Sequence, residues 1–329
     1  MKKNIFRLLS LALVGTMFVG CEKEEANRLT FSFENMESPK SYIYTNNDGS
    51  YNCWEKEDVL HINGNPYDVI VSNGMNGNSA VSYVSNASAL FDQDIFCFYG
   101  GNHNTFTGYN ASTHQYTFTV PSEMEYTVVA NGKQKTDAPV VGFLHLTHNN
   151  HRVALKNVGS MLKFSFNNGS TTKAIAITKI QIESYSNNIY LSGTATATAS
   201  ATPSAYSIAA PNVIAQEKKK AMTFGETGLS IPTTHDVVSV YFPIVSLSNA
   251  KIQILITATF HNQHILLRSP MFESVSIAQN HIMPLNTITI KGNGNQGEGD
   301  NPEIVINGNT YDTHTSSNEN NTWRIETIQ

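Results

Sequence analysis

The most constraining feature of this sequence is a series of short segments in which apolar and polar residues alternate. Alternation with a period of two is the pattern of a β-strand that buries one face against a core. It is regular in 28–34 (RLTFSFE), in 114–121 (HQYTFTVP) and in 160–168 (SMLKFSFNN). No long segment has the 3.6-residue period of an amphipathic helix, and 216–224 (QEKKKAMTF) would form one or two helical turns at most. The chain is therefore predicted to be all-β.

Other segments are rich in the β-branched and aromatic residues that favour strands. These strand candidates are 58–62, 68–72, 94–100, 173–184, 237–245, 250–260 and 286–291. About a dozen strands separated by turn residues indicate β-sandwich or barrel-like sheets, and the length suits two domains of roughly 100–150 residues. We place an N-terminal domain at 28–150 and a C-terminal domain at 151–291, because THNNH (147–151) interrupts the strand pattern.

The N-terminus has the layout of a bacterial export signal. Three basic residues precede the apolar run 8–20, whose 13 residues are too few to span a bilayer as a helix. The run leads directly into Cys21 and resembles the lipobox of bacterial lipoproteins, with Phe18 where leucine is usual. In lipoproteins this cysteine carries acyl chains that form a stable membrane anchor. Residues 1–20 are interpreted as a lipoprotein signal peptide and Cys21 as the lipidated residue; the alternative is a secretory peptide with a chance cysteine.

An acidic segment follows the cysteine. Residues 21–27 contain three glutamates, and they resemble either the surface-export signal of some Gram-negative lipoproteins or a solvated tether. Without the three basic residues of the signal, 18 of the 21 basic residues remain against 26 acidic ones, so the mature net charge is about −8. Nucleic acid is therefore excluded as a partner, because phosphate binding needs clustered basic residues. The single basic run, 218–220 (KKK), is interpreted as a solvated loop.

Cys53 and Cys97 are the only other cysteines. In an exported protein two thiols can pair, so a disulfide between them is one prediction. The alternative is that each is buried singly, since the sequence does not give the distance between their Cα atoms.

The sequence has none of the common catalytic signatures. It contains no nucleophile elbow, no HExxH or CxxC motif and no phosphate-binding loop. His145, His148 and His151 are spaced by three, which on a strand places neighbours on opposite faces. No catalytic residue, metal ligand or cofactor is predicted, and the chain is interpreted as a protein without enzymatic activity.

The last part of the chain differs from the rest in composition. Residues 292–302 (GNGNQGEGDNP) contain four glycines and no large apolar residue, which is typical of a flexible linker. The tail 303–329 then holds short strand candidates that include Ile304, Val305 and Ile306. These apolar residues need a partner, because an isolated two-stranded hairpin is marginal in water.

A seven-residue phrase occurs near both ends of the chain, as INGNPYD at 62–68 and INGNTYD at 306–312. Asn-Gly favours tight hairpin turns, so one interpretation is that the same turn is built twice. The other is that the tail copies the N-terminal hairpin and can pair where such a hairpin would pair on a neighbouring chain.

Four stretches, taken in order, resemble the fimbrillin-like lipoproteins of anaerobic gut and oral bacteria. They are WEKEDVLHING (54–64), ALFDQDIFCFYGGN (89–102), the region that begins VALKNVGSMLKFSFNN (153–198) and VSIAQNHIMPLNTITI (275–290). The resemblance covers roughly residues 28–291. It implies two tandem transthyretin-like β-sandwich domains, and a place in or beside a pilus with other pilus subunits as partners.

The family also implies a test of how the chain assembles. In its polymerising members an Arg-specific protease removes a leader and the first strand, and a donor strand from a neighbour fills the groove by β-augmentation. Arg28 is the candidate processing residue. It is the first residue of the segment 28–34, so cleavage after it would leave the strand residues LTFSFE intact instead of removing them. This departure favours a tip, anchor or accessory subunit over a stalk subunit, and Ile304, Val305 and Ile306 are the candidate donor strand.

Two functions of different classes follow. The first is a surface-exposed outer-membrane lipoprotein that is a structural or adhesive component of a pilus. The alternative is a monomeric surface lipoprotein that binds a glycan or a host protein without polymerising.

Overall fold

The computed structural model describes most of the chain, with gaps. The described residues are 29–33, 50–51, 54, 58–70, 81–84, 87–101, 104–128, 134–135, 138–199, 216–313 and 322–328. The all-β prediction is confirmed, because the regular elements in these ranges are strands apart from two short 3-10 turns, Ala87–Leu90 and Asn295–Gly297. None of the described segments is a helix with the length and hydrophobicity of a membrane span.

The alternating and aromatic segments form the strands that the sequence predicts, with small shifts. Up to residue 146 the strands are β1 (Leu29–Phe33), β2 (Ser50–Tyr51), β3 (Val59–Ile62), β4 (Asn65–Asp68), β5 (Val81–Val84), β6 (Gln93–Tyr99), β7 (Thr105–Asn110), β8 (Gln115–Val120), β9 (Glu123–Glu125), β10 (Thr127–Val128), β11 (Gln134–Lys135) and β12 (Val140–Leu146). The strand expected at 68–72 begins earlier, because a two-residue turn brings Asn65 directly opposite Ile62.

The later strands are longer on average. They are β13 (Arg152–Asn157), β14 (Ser160–Asn168), β15 (Ile175–Ser184), β16 (Ser192–Thr198), β17 (Gln216–Glu217), β18 (Lys219–Thr223), β19 (Leu229–Ile231), β20 (Val238–Ile244), β21 (Leu247–Phe260), β22 (Gln263–Arg268), β23 (Phe272–Ile277), β24 (Ile282–Pro284), β25 (Ile288–Gly292), β26 (Pro302–Ile306), β27 (Asn309–Asp312) and β28 (Arg324–Ile328). The segment 216–224 forms β17 and β18 and not the one or two helical turns that its sequence would allow.

A seven-stranded sheet contains the N-terminal strand. Its order is β4-β3-β6-β12-β13-β1-β5, so β1 lies inside the sheet, parallel to β13 and antiparallel to β5. Leu29 and Phe31 of β1 are fully buried, and they pack in one apolar cluster with Trp54, Leu60 and other residues of this sheet. The first described strand is therefore a central part of the core.

Two further sheets enclose the main hydrophobic core. One has the order β20-β14-β25-β26-β27, with β24 also on β14, and the other has the order β28-β22-β21-β15-β18-β9, with β19 and β23 paired to β15 and β21. Side chains from both sheets, such as Phe164 and Phe166 of β14 and Ile180 of β15, belong to one buried cluster. The remaining described strands form a three-stranded sheet, β10-β11-β2, and a four-stranded sheet, β17-β16-β8-β7.

Strands from both sides of residue 150 share sheets. In the four-stranded sheet β16 pairs with β8, and in the eight-stranded sheet β9 pairs with β18. The segment 147–151, where we placed the domain boundary, instead turns β12 back onto β13 and is closed by a bridge between Thr147 and Asn150. The predicted boundary at 150/151 thus does not coincide with a division between sheets.

Candidate functional site

Of the residues predicted to matter in the N-terminal part of the chain, only Cys97 lies in the part that the structure describes. Cys21, Arg28 and Cys53 lie outside the described residues. Cys97 in β6 carries a free thiol that is fully buried, and burial raises its pKa. Strand β1 begins at Leu29, directly after Arg28, and is enclosed by two neighbouring strands.

The predicted donor strand is paired within its own chain. Ile304, Val305 and Ile306 lie in β26, which pairs with β25 on one side and β27 on the other. Ile304 and Ile306 are buried in the main core, whereas Val305 points to the opposite face and is half-buried. The partner that these apolar residues need is therefore the sheet of the chain itself.

The tail also closes the opposite sheet. Strand β28 pairs with β22, and Ile325 enters the same core as Ile304. A salt bridge between Arg268 Nε and Glu326 Oε1, at 3.2 Å, lies across this pair of strands. A single tail of fewer than thirty residues, 303–329, thus covers one edge of each of the two core sheets.

The glycine-rich segment 292–302 is tied to the body of the protein. The carboxylate of Glu298 accepts hydrogen bonds from the Ser170 hydroxyl at 2.8 Å, the Thr171 amide at 2.7 Å, the Thr171 hydroxyl at 2.8 Å and the Thr172 hydroxyl. Lys173 forms a 2.6 Å salt bridge with Asp300. The segment predicted to be a linker is therefore held against the rest of the chain by side-chain contacts; we call Glu298 and its three partners the Glu298 latch.

Close approach of neighbouring atoms explains three of the four glycines in the same segment, Gly292, Gly297 and Gly299, but not Gly294. A Cβ on Gly292 would lie 2.0 Å from the carbonyl oxygen of Gly299, a distance that no side chain tolerates. Glycine is needed at such positions because it lets two backbones touch. The glycines that suggest a linker thus allow a tight fold of the chain.

The Glu298 latch gives a pH-dependent prediction. Its four hydrogen bonds lower the pKa of Glu298 from an ordinary value of 4.5 to about 2. A carboxyl whose pKa is lower in the folded state stabilises the fold above its unfolded pKa, and this contribution is lost as pH falls through the folded pKa. We expect Glu298→Gln to destabilise the protein at pH 7, and the difference from wild type to disappear between about pH 4.5 and pH 2.

Denaturant unfolding at a series of pH values measures this difference. Glu226→Gln is the matched control, because Glu226 is exposed in a turn. An equal effect of both substitutions at pH 7, or a Glu298→Gln deficit that persists at pH 2, would contradict the latch.

The repeated phrase forms the same turn twice. Asn63 and Gly64 have φ angles of 48° and 84°, and Asn307 and Gly308 have φ angles of 51° and 79°. Positive φ at both central residues is the signature of a type I′ hairpin turn. The first copy connects β3 with β4 and the second connects β26 with β27, and each hairpin ends a sheet. The repeated sequence is therefore explained by its two Asn-Gly pairs, each of which forms the same type of hairpin turn.

The two turns differ in their surroundings. The Asn63 side chain accepts a hydrogen bond from the Phe96 amide at 2.8 Å and donates one to the Asp94 carbonyl at 3.1 Å. The Gly64 amide donates to the Tyr116 hydroxyl at 3.1 Å. In contrast, Asn307 and Gly308 are exposed, and no atom lies within 4 Å of a Cβ placed on Gly308. The first turn is held by hydrogen bonds to Asp94, Phe96 and Tyr116, whereas the second turn is exposed at the surface.

This difference predicts unequal effects of the same substitution. Asn63→Ala and Asn307→Ala both place alanine at a positive φ, so the turn itself is weakened equally. Asn63→Ala also leaves the buried amide of Phe96 without its acceptor, which costs about 1–3 kcal/mol. We expect Asn63→Ala to lower the free energy of unfolding by that additional amount, as measured by denaturant unfolding of both variants. Equal losses would show that the Asn63 contacts contribute nothing.

A cleft near the first hairpin combines aromatic and polar groups. It has a volume of about 230 Å³ and is lined by Asp58, Val59, His61, Phe98, Tyr99, Gly100, Gly101, Asn104 and Phe106. The His61 ring stacks on Phe106 with ring centroids 4.1 Å apart, and burial lowers the pKa of His61. Aromatic rings beside amide and carboxylate groups suit a small polar ligand with an apolar face.

The three histidines spaced by three residues have separate surroundings. His145 Nδ1 lies 2.7 Å from Asp94 Oδ1, the His148 ring stacks on Phe91, and His151 Nδ1 lies 3.1 Å from the His148 carbonyl. Within the described ranges no three His, Cys, Asp or Glu side chains are grouped as metal ligands.

Comparison with known proteins gives matches at the level of structure only. No protein-family model and no curated protein sequence matches the chain. A candidate cell adhesion protein from Bacteroides ovatus is 10% identical, with 88% of this chain and 98% of that chain covered and a TM-score of 0.37. A candidate cell adhesion protein from Bacteroides fragilis is 8% identical, with 89% and 99% covered and a TM-score of 0.38.

A third match is the tip fimbrial protein Mfa3 from Porphyromonas gingivalis with a C-terminal truncation. It is 8% identical, with 85% of this chain and 98% of that chain covered and a TM-score of 0.31. The chain is thus similar, across most of its length and at low identity, to structures of candidate adhesion proteins and of a fimbrial tip protein.

Proposed function

We propose that this chain is a surface-exposed outer-membrane lipoprotein that is a structural or adhesive component of a pilus, as a tip, anchor or accessory subunit. The proposal joins the signal that ends at Cys21 to the fimbrillin-like pattern of the strands. The observation that carries it is the position of β1, which begins immediately after Arg28 and lies between β13 and β5.

The position of β1 argues against a stalk role. Cleavage after Arg28 would release the lipidated peptide and leave β1 in its sheet, so no groove would open for a donor strand. The tail strand β26 is likewise paired with β25 of its own chain. A subunit whose sheets are completed by its own strands needs no donor strand from a neighbouring subunit. Such a subunit fits the tip or the base of a pilus better than the stalk.

The length of the acidic tether supports an anchored form. Residues 21–27 can span at most about 25 Å when fully extended. A retained lipid on Cys21 would therefore hold β1 close to the outer membrane, and the body of the protein would be presented from there.

The test is made on intact cells. The N-terminal peptide of the mature surface protein is read by mass spectrometry, for wild type and for Cys21→Ser, with Cys53→Ser as control. We expect lipidated Cys21 on the surface form and loss of membrane attachment in Cys21→Ser alone. A surface form that begins at Leu29 without lipid and runs as a ladder of polymers on an unboiled denaturing gel would overturn the proposal.

The cleft near the first hairpin favours the alternative function, binding of a glycan or host protein by a monomer. Trp54, Tyr99 and Tyr116 cannot stack on a sugar ring, because they are buried in the core. His61 and Phe106 are only partly buried. Binding to a glycan array that is lost in Phe106→Ala, from a protein that forms no ladder, would support this alternative.

A further inference from the structure

A buried lysine lies where the earlier and later strands of the chain meet. Lys220 is in β18 opposite Ile182 of β15, and it is 3% exposed. We interpreted the run 218–220 as a solvated loop, but strand alternation separates its members. The Lys219 side chain is 61% exposed, whereas Lys220 is turned inward on the face that carries the core residue Met222.

Lys220 lines a small crevice built from both parts of the chain. From the part of the chain before residue 150 it is lined by Asn104, Phe118, Val120, Ala138 and Pro139, and from the later part by Gly159, Ser160, Pro243, Ile244 and Val245. The space inside is about 20 Å³. This exceeds the roughly 10–15 Å³ that a single water molecule needs, so there is room for one small species. Most of its lining is apolar.

Two neighbouring side-chain donors already have backbone acceptors. The Ser160 hydroxyl donates to the Ala278 carbonyl at 2.8 Å, and the Asn104 amide donates to the Gly100 carbonyl at 2.8 Å. Among the residues that the structure describes, no carboxylate lies within salt-bridge distance of Lys220. Burial lowers the pKa of Lys220 to about 8, so that its amine is still mostly protonated at pH 7.

We propose that the Lys220 crevice binds one small monovalent anion of about the size of chloride or formate. A buried ammonium group is costly unless an opposite charge accompanies it. The mostly apolar lining and the small space exclude sulfate, phosphate and larger carboxylates. Because the walls come from both sides of residue 150, a bound anion would stabilise the junction between the earlier and the later strands.

The test compares anions at constant ionic strength. Thermal unfolding of the full chain is followed in sodium bromide, sodium formate and sodium gluconate, for wild type, Lys220→Met and Lys219→Met. We expect bromide or formate to raise the midpoint of wild type and Lys219→Met by about 2–5 °C relative to gluconate, and to leave Lys220→Met unchanged. The arm that gives the shift identifies whether the site takes a halide or a small carboxylate.

A second measurement keeps the proposal testable if Lys220→Met does not fold. Crystals of the wild-type chain grown in bromide should show an anomalous peak beside the Lys220 ammonium. Identical midpoints in all three salts, or a crevice that holds only a water molecule in bromide, would overturn the proposal.

Discussion

Ile304→Ala is expected to lower the free energy of unfolding by about 2–5 kcal/mol. Ile304 is fully buried, and it packs in the main core with residues of both enclosing sheets. Truncation to alanine removes apolar contacts and leaves a cavity that the surrounding strands fill only in part. Such a loss is large for a residue near the end of a chain. It is expected here because the tail contributes side chains to the main core.

The neighbouring residue provides the control. Val305 lies in the same strand on the opposite face and is half-buried, so Val305→Ala should cost less than about 1 kcal/mol. Denaturant unfolding of both variants, with limited proteolysis of the tail, measures the contrast. Similar losses for both, or an unchanged midpoint for Ile304→Ala, would mean that β26 does not contribute to the core in solution.

Lys220→Met is expected to act in the opposite direction and to stabilise the protein. In a buffer that contains gluconate as its only anion, the gain at pH 7 should reach up to about 3 kcal/mol, since each unit of pKa shift corresponds to about 1.4 kcal/mol. The pKa of Lys220 falls from 10.5 to about 8 on folding. Burial of the charged ammonium group therefore costs free energy on folding. Methionine has a similar shape and no charge, so the substitution removes this cost.

The sign of the pH dependence distinguishes this cause from a simple gain in packing. The folded state releases the Lys220 proton near pH 8, and the unfolded state does so near pH 10.5. The destabilisation is therefore complete below pH 8 and disappears as pH rises to about 10.5. The advantage of Lys220→Met over wild type should shrink across this window, with Lys219→Met flat throughout. A constant advantage from pH 7 to pH 10.5 would assign the gain to packing alone.

The strands were predictable wherever one face of the sheet is buried and the other is not. Segments such as 115–120 and 162–167 carry their alternation in the sequence because every second side chain is buried and those between are at least partly exposed. The run 218–220 shows no such alternation in its sequence, because all three residues are lysines. The buried Lys220 therefore cannot be distinguished by residue type from the exposed Lys219.

The long-range contacts of the C-terminal segment were not predictable. Glycines at 292–302 indicate flexibility in isolation, but the partners of Glu298 are more than 120 positions away in sequence. The predicted boundary at 150/151 rests on a polar break in the strand pattern, and such a break occurs at a hairpin as well as at a linker; in the structure this break lies in the turn between β12 and β13. The repeated INGN did predict two turns, but only the packing of Asn63 against Phe96 decides which one is locked.

The placement of β1 determines how the molecule would respond to a mechanical load. A pull on an N-terminal anchor is directed along a strand with hydrogen-bonded neighbours on both sides, so the bonds to β13 and β5 resist together in shear. A pull on the C-terminus reaches β28 at the edge of its sheet, where the bonds to β22 can break one after another. Under a load applied through the N-terminal anchor proposed above, β1 would hold while β28 separates from its sheet first.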